Sequence, residues 1–457
     1  MGFEVIEMSE CVFLEMLKKN PRLRKELEND PIIYNAPLNP RDAFYGGRTE
    51  ATKIYYKCKE NEKIKYIDVC SLYPYVCKNG FFPIKHPQIY VGDECKELDL
   101  KKLHGVIKCR IIPNSELYHP VLPLKLHDKL FFPLCYSCCL ELNQEECTHT
   151  DDQKAIVGTW VIAEVVKAIE MGYIIAEIYE VWDFEVKQYN TKTGDEGLFT
   201  EMMNKFLKIK QEASGWPLDC KTEDEKTAYI NKYYETEGVM LDRELIEKNA
   251  GLRAFAKLCL NETLLVNYDY KNSEDCSSFT SNVLIGAFTT TQARLKLYSY
   301  LEKLGESVIY CDTDSVVYIA REGQYEPETG EFLGMMTDEL ECKGKGSYIT
   351  EFVTGGPKNY SYKVYSTDTK QIETECKVKG FKLTQAISQK INFETIKNMV
   401  IQKEKRNVKV TINNIKRTND HRVLSTTNEK IYQVVLNKRV FSDDDSRPYG
   451  YKKKLKK

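Results

Sequence analysis

The sequence predicts an α+β chain of two or three lobes, and three observations carry that reading. At 457 residues, with 42% hydrophobic and 11% aromatic content, the chain is ordered and long enough to bury a sizeable core. Two apolar, β-prone runs end in carboxylates: Ile64, Tyr66 and Ile67 lead into Asp68, and Val308, Ile309 and Tyr310 lead into Asp312. Val316, Val317, Tyr318 and Ile319 follow Ser315, so the second run reads as a β-hairpin whose tight turn carries Asp312 and Asp314. Interleaved with these runs are stretches of helical spacing, above all 282–304.

In chain order, a short helical stretch from Phe13 to Leu27 is interrupted by Pro21. A Pro- and Asn-rich connector then leads to Phe44-Tyr45-Gly46-Gly47, an ordinary turn on composition alone. Between Cys135 and His149 lies a dense set of soft ligands: Cys135, Cys138, Cys139, Cys147 and His149. The order C-x2-C, eight residues, C-x-H offers Cys135, Cys138, Cys147 and His149 to a tetrahedral Zn²⁺. The alternative is a group of buried reduced thiols, with His149 capping a helix that begins near Asp151.

Leu198 to Ala213 reads as a helix with Leu198, Met202, Phe206 and Ile209 on one face, stopped by Gly215-Trp216-Pro217. A second helix is expected from about Leu241 to Asn261. Arg253, Lys257 and Asn261 form one polar stripe on it, and Leu252, Phe255, Ala256 and Cys259 face away. Such a stripe is either a solvated face or a cationic site. Along 282–304, Leu284, Phe288, Ala293, Leu297, Leu301 and Leu304 recur at helical spacing and Gly305 supplies the stop, so this helix should brace the hairpin from behind. Gly355-Gly356-Pro357-Lys358-Asn359-Tyr360 reads as a turn followed by a strand.

Net charge is only −2, so no global basic signature marks a nucleic-acid binder, and any such activity must gather Lys and Arg along one cleft. Sixteen Cys, no secretory signal and no apolar run of membrane-spanning length indicate reduced thiols inside a cell and no membrane partner. The basic tail Tyr451 to Lys457 is either a nuclear signal or a solvated terminus contacting DNA. Carboxylates raised on neighbouring strand ends repel unless a hard cation such as Mg²⁺ neutralises them, and a pair of such ions serves in-line displacement at phosphorus. For either segment alone the alternative is a solvated turn.

Asp68-Val69-Cys70-Ser71-Leu72-Tyr73-Pro74 and Tyr310-Cys311-Asp312-Thr313-Asp314-Ser315 resemble motifs A and C of family B DNA polymerases. The surrounding text resembles the protein-primed branch, as in self-synthesising DNA transposons (Mavericks or Polintons), related viruses and linear plasmids. The resemblance runs from Pro40 to Tyr451. It implies a right-hand fold of palm, fingers and thumb, with an antiparallel palm sheet carrying the carboxylates. It also implies DNA synthesis from deoxynucleoside triphosphates on a template and primer, and a terminal protein whose hydroxyl serves as primer.

On that resemblance, 1–50 is a connector remnant, 51–118 the first part of the palm, and 119–190 an insertion of the kind that grips a priming protein. The fingers then span 191–263, the second part of the palm 264–345, and the primer-contact segment and thumb 346–457. Asp68 and Asp314 would hold two Mg²⁺ ions with the Val69 carbonyl, and Asp312 would assist. Val69, Ser71, Leu72, Tyr73, Lys210, Lys257 and Asn261 would form the nucleotide site, with Tyr73 beneath the sugar and both lysines on the triphosphate. Tyr45, Gly46, Gly47, Lys358, Tyr360 and Lys379 would contact DNA, joined in the thumb by Lys403, Lys405, Arg406, Lys409, Lys416 and Arg417. The chain departs from the family in three places. Phe44 stands where a Tyr is usual, no acidic exonuclease motif precedes the connector (so no proofreading is expected), and Glu262-Thr263-Leu264-Leu265-Val266 follows Asn261 in place of Ser-x-Tyr-Gly. The last departure has the form of a missed exon or a decayed mobile element, and it sets efficient synthesis against mere nucleic-acid binding.

Overall fold

The computed structural model describes residues 10–22, 36–190, 193–217, 220–261, 282–402, 407–418, 420–442 and 445–453. Its main element is a nine-stranded antiparallel sheet. The path runs through Thr49–Ala51, Val308–Asp312, Ser315–Arg321, Glu62–Val69, Tyr348–Gly356, Asn359–Tyr365 and Ile372–Val378. Met336–Asp338 adds to Glu62–Val69, and Tyr55–Lys57 to Tyr348–Gly356. The expected hairpin is there, and its side chains alternate between two cores as a strand's period of two requires. Ile67, Val69, Val316 and Tyr318 pack with the long helix Val283–Leu304, which braces the hairpin through Phe288, Leu297 and Leu301. Ile64, Tyr66, Val317 and Ile319 pack on the other face with Phe352, Tyr360 and Tyr362.

A second sheet pairs Phe81–Val91, Ile174–Gln188, Gly105–Ile112 and Ile156–Val161 in that order, backed by helix Ile162–Glu170. It crosses the boundary expected between 118 and 119, because two of its strands lie on each side. The main sheet likewise continues through 348–378, into the stretch expected to be thumb. The remaining thumb stretch holds helix Phe393–Ile401 and the hairpin Val408–Arg417/Val423–Tyr432 around a core that also takes in Ile54 and Val353 of the palm.

Three helices, Thr200–Glu212, Glu223–Glu237 and Ala250–Asn261, occupy the expected fingers region. The last was expected from Leu241. Instead Asp242 caps a short 3-10 turn at Arg243–Leu245, and that turn ends before the helix begins. Its buried positions are Ala256 and Leu260, whereas Leu252 and Phe255, expected to pack, are exposed. In Thr200–Glu212 the buried apolar positions are Met203 and Leu207, and Leu198 and Met202 are exposed. Both shifts have one cause: the two helices pack on each other along Met203, Leu207 and Leu260, a seam rotated from the sequence stripes. The helix at the amino end runs Glu10–Lys19 and stops before Pro21. Among the described residues no helix is long and apolar enough to cross a membrane.

A buried ion pair helps to fasten the lobes. Arg294 of the long helix donates from Nε and Nη2 to the two carboxylate oxygens of Glu164, each at 2.8 Å. Its Nη1 donates to the carbonyls of Tyr45 and Gly46 at 2.9 and 3.0 Å, and Nη2 also reaches Thr291 Oγ1. Both side chains are at most 3% exposed. Glu164→Ala would strand a buried guanidinium, and we expect a loss of about 3–5 kcal/mol in chemical denaturation. An unchanged midpoint would show that the pair fastens nothing.

Candidate active site

Strand register assembles the three motif carboxylates. Ser315 pairs with Asp68 across the antiparallel ladder, and Thr337 pairs with Asp68 from the other side. The Val69 amide donates to the Asp314 carbonyl at 2.8 Å, which ties the end of one motif to the turn of the other. The two-residue turn needs a left-handed residue, and Thr313 supplies it at φ 58°. Its amide donates to the Arg48 carbonyl at 2.7 Å. A Cβ on Gly47 would lie 2.7 Å from Thr313 Oγ1, so the Gly-Gly connector lies directly against the turn.

The carboxylates are not equivalent. Asp312 is neutralised within the fold: Lys358 Nζ lies 2.7 Å from its Oδ1, and Thr49 Oγ1 donates to the same atom at 2.8 Å. Asp68 and Asp314 have each other. Burial first, then Asp314 and Glu339, push the Asp68 carboxyl up to about 8. Burial, with Asp312 and Glu339 adding, raises Asp314. Two half-buried carboxylates forced together are the donor set a hard dication relieves, so the residues present fit Mg²⁺.

Around this pair the expected nucleotide residues separate by depth. Val69 and Leu72 are fully buried and shape the floor. Ser71, in left-handed conformation, precedes helix Leu72–Asn79. Tyr73 sits beside the carboxylates, its hydroxyl raised by burial and by Asp314 and Asp312. Burial pushes the Lys210 ammonium down, and the nearby cations Arg253 and Lys257 add to that shift, against Cys70 and Glu237. Lys210, Lys257 and Arg253 therefore share one neighbourhood with Cys70, the residue two after Asp68. Asn261 ends its helix, and its side chain and the break that follows it lie outside the described residues.

The expected DNA contacts fare differently. Gly46 is exposed and Gly47 half-buried, and Lys379 is exposed. Tyr45 is not available: its ring is 5% exposed, with Arg294 and Lys125 over it. Exposed Phe44 is the aromatic side chain offered there. Tyr360 is buried as well, its hydroxyl 3.0 Å from that of Tyr66 and its ring stacked on Phe352. Tyr360 can therefore position the Lys358 turn, whose amide donates to neighbouring Tyr310, but its ring offers no open face to a primer. Lys409, Lys416 and Arg417 are exposed on the thumb hairpin; Lys403, Lys405 and Arg406 lie outside the described residues.

Sequence reading missed Thr49, Glu339, and Lys129 and Lys438, which join Lys358 and Lys379 in lining a groove of about 470 Å³. The ladder makes Thr49 the partner of Asp312, and a polar residue directly after Gly-Gly-Arg was the available signal. Nothing local marks Lys129 or Lys438, which the fold brings together from distant segments.

The soft-ligand set does converge. His149 Nδ1 lies 3.4, 3.2 and 3.7 Å from the sulfurs of Cys135, Cys138 and Cys147. All four ligand atoms lie within 4.8 Å of one another, and the three thiols are buried. Cys139 is buried but outside the set. His149 is not the cap of the next helix: Thr150 is, in a capping box with Gln153.

Residues 38–222 match the model of a family described as DNA polymerase type B, organellar and viral. A 129-residue stretch is 30% identical to a probable DNA polymerase of Podospora anserina, covering 26% of this chain and 10% of that protein. Phi29 DNA polymerase, in complex with primer-template DNA and incoming nucleotide, superposes with a TM-score of 0.55 at 16% identity over 92% of this chain and 66% of that one. Its post-translocation complex with primer-template DNA gives 0.53 at 17%, with the same coverage. The fold is thus the right-hand polymerase fold, and the family resemblance read from the two motifs is borne out. This chain spans just under two thirds of the phi29 enzyme.

The raised Asp68 carboxyl makes a prediction about the metal-free protein. A group raised in the folded state stabilises the fold fully below its unfolded value near 3.8, and that contribution is lost as pH rises to about 8. Asp68→Asn removes the titration, so its denaturation midpoint, measured in chelator, should exceed the parent's at pH 8 and converge with it near pH 4. Parallel midpoints across that window would mean that Asp68 carries no raised carboxyl.

Proposed function

We propose that this chain is a template-directed, protein-primed DNA polymerase that copies a mobile or viral genome from deoxynucleoside triphosphates. One observation carries the reading: Asp68 and Asp314 meet and, among the described residues, form no ion pair with a Lys or Arg, while Asp312 beside them is paired with Lys358. Bound there, a pair of Mg²⁺ ions would activate a primer 3′-hydroxyl and neutralise the departing pyrophosphate. Asp68, Asp314 and the Val69 carbonyl would hold them.

The chain's own residues do the rest. Lys210, Lys257 and Arg253 supply positive charge for a triphosphate. Tyr73 fills the space that a 2′-hydroxyl would need. Gly46, Gly47 and the lysine groove give template and primer a path, with the phosphates paired to Lys and Arg. Thr313 and Ser315 fix the turn; Ser315 Oγ donates to the Asp312 carbonyl. The soft Cys₃His set would take Zn²⁺, which three thiols and an imidazole select over Mg²⁺. A terminal priming protein fits the branch resemblance, and the basic tail suits a nuclear address.

A second reading, nucleic-acid binding without efficient synthesis, is favoured by Glu262 to Val266 standing where the family has Ser-x-Tyr-Gly. Mobility shifts and single-nucleotide extension on one sample separate the two. Asp68→Ala or Asp314→Ala should lower extension roughly a thousandfold or more, about 4 kcal/mol of barrier, while primer-template binding persists. Extension near the parent rate in either variant would refute the metal-pair assignment. A parent that binds DNA but extends no primer would establish the second reading.

A further inference from the structure

We infer that zinc on Cys135, Cys138, Cys147 and His149 is a latch that fastens the carboxy-terminal strap, residues 437–442 and 445–453, to the lobe of the four-stranded sheet. The inference rests on the zinc reading of this cluster and is independent of the polymerase reading. Tetrahedral Zn²⁺, with sulfur at about 2.3 Å and nitrogen at about 2.0–2.1 Å, places each sulfur about 3.5–3.6 Å from the nitrogen. The three sulfur–nitrogen distances here are 3.4, 3.2 and 3.7 Å. The Cys138 amide also donates to Cys135 Sγ, at 3.4 Å, which sets the first half-site in advance. Four protein ligands with three of them buried make a closed set, the mark of a structural site.

The strap touches this cluster at each turn. Leu134, the residue before the first ligand, donates its amide to the Tyr449 carbonyl at 2.7 Å. Gly450, at φ +86°, lies so close that a Cβ there would sit 2.4 Å from Cys135 Cβ. Between the second and third ligands runs a loop carrying Gln144. Its Oε1 accepts from the Phe441 amide at 3.2 Å and its Nε2 donates to the Tyr449 hydroxyl at 3.1 Å. That hydroxyl in turn donates to the Asn437 carbonyl. Zinc would pin both ends of this loop, and through it both ends of the strap.

The strap then spans to the main sheet, where the Ser446 amide donates to the Thr52 carbonyl. It carries Lys438, which lines the lysine groove and reaches the Thr49 carbonyl at 3.3 Å. The latch thereby sets one wall of the groove from outside it.

Elemental analysis of the full chain should find about one Zn per molecule. Hydrogen–deuterium exchange before and after 1,10-phenanthroline should then show the Leu134 and Phe441 amides, and the Lys452 amide that donates to the Ser115 carbonyl, exchanging at least about tenfold faster without metal. Strands Glu62–Val69 and Val308–Asp312 should keep their protection. Cys147→His should retain zinc and a protected strap; Cys147→Ala should lose both, and chelation of the parent gives the same readout if that variant does not fold. Zinc-loaded protein whose strap amides ignore chelation would overturn the latch and leave the zinc site standing. Metal-free protein with those amides already protected would overturn both.

Discussion

Forced proximity of like charges is the constraint around which this molecule is arranged. Antiparallel register brings Asp68 against the Ser315 end of the hairpin, and the Val69 amide locks Asp314 into place. The fold gains nothing from this arrangement, since burial and neighbouring carboxylates hold both carboxyls above their ordinary values. Rigidity has to come from elsewhere. The hairpin lies between two apolar cores, and the long helix supports it along most of its length. The cost of the site is spread over a sheet large enough to bear it.

Positive charge is distributed with matching economy. Arg294 is fully engaged by Glu164, Thr291 and two connector carbonyls, so it orders the connector that lies against the turn. Arg48 and Arg439 are buried about Glu50. These cations are structural. Others near the open face, Lys210, Lys257, Arg253 and the groove lysines, come from five separate stretches of chain, at 129, 210, 253–257, 358–379 and 438. A net charge of −2 therefore coexists with a locally cationic cleft, because the fold gathers basic residues from distant segments.

What the sequence disclosed follows from how local each signal is. The hairpin was legible because β-prone runs flank a turn whose residues tolerate left-handed backbone, and the long helix because its stripe ends at Gly305. The Cys₃His set was legible as a set, but its convergence on His149 depends on Thr150 taking the cap. Depth was not legible. Tyr45 and Tyr360 stand at motif positions, yet the sheet and Arg294 bury both rings, and Lys358 meets Asp312 only through the sheet's closure. The late start at Ala250 escaped notice because a 3-10 turn and an α-helix share a similar polar–apolar spacing over so few residues.

The order of strands along the chain has a consequence for biosynthesis. All four strands of the second sheet lie between Asp68 and Val308, so that sheet can close while the main sheet still lacks its hairpin. Glu62–Val69 meanwhile waits, with neither long neighbour yet made, for Ser315–Arg321 on one side and Tyr348–Gly356 on the other. Loop-closure entropy makes this pairing late and slow compared with the local one. A chain released before Asp314 would therefore carry the strands of the second sheet and the Asp68 carboxylate alone, without the charged pair on which the chemistry depends.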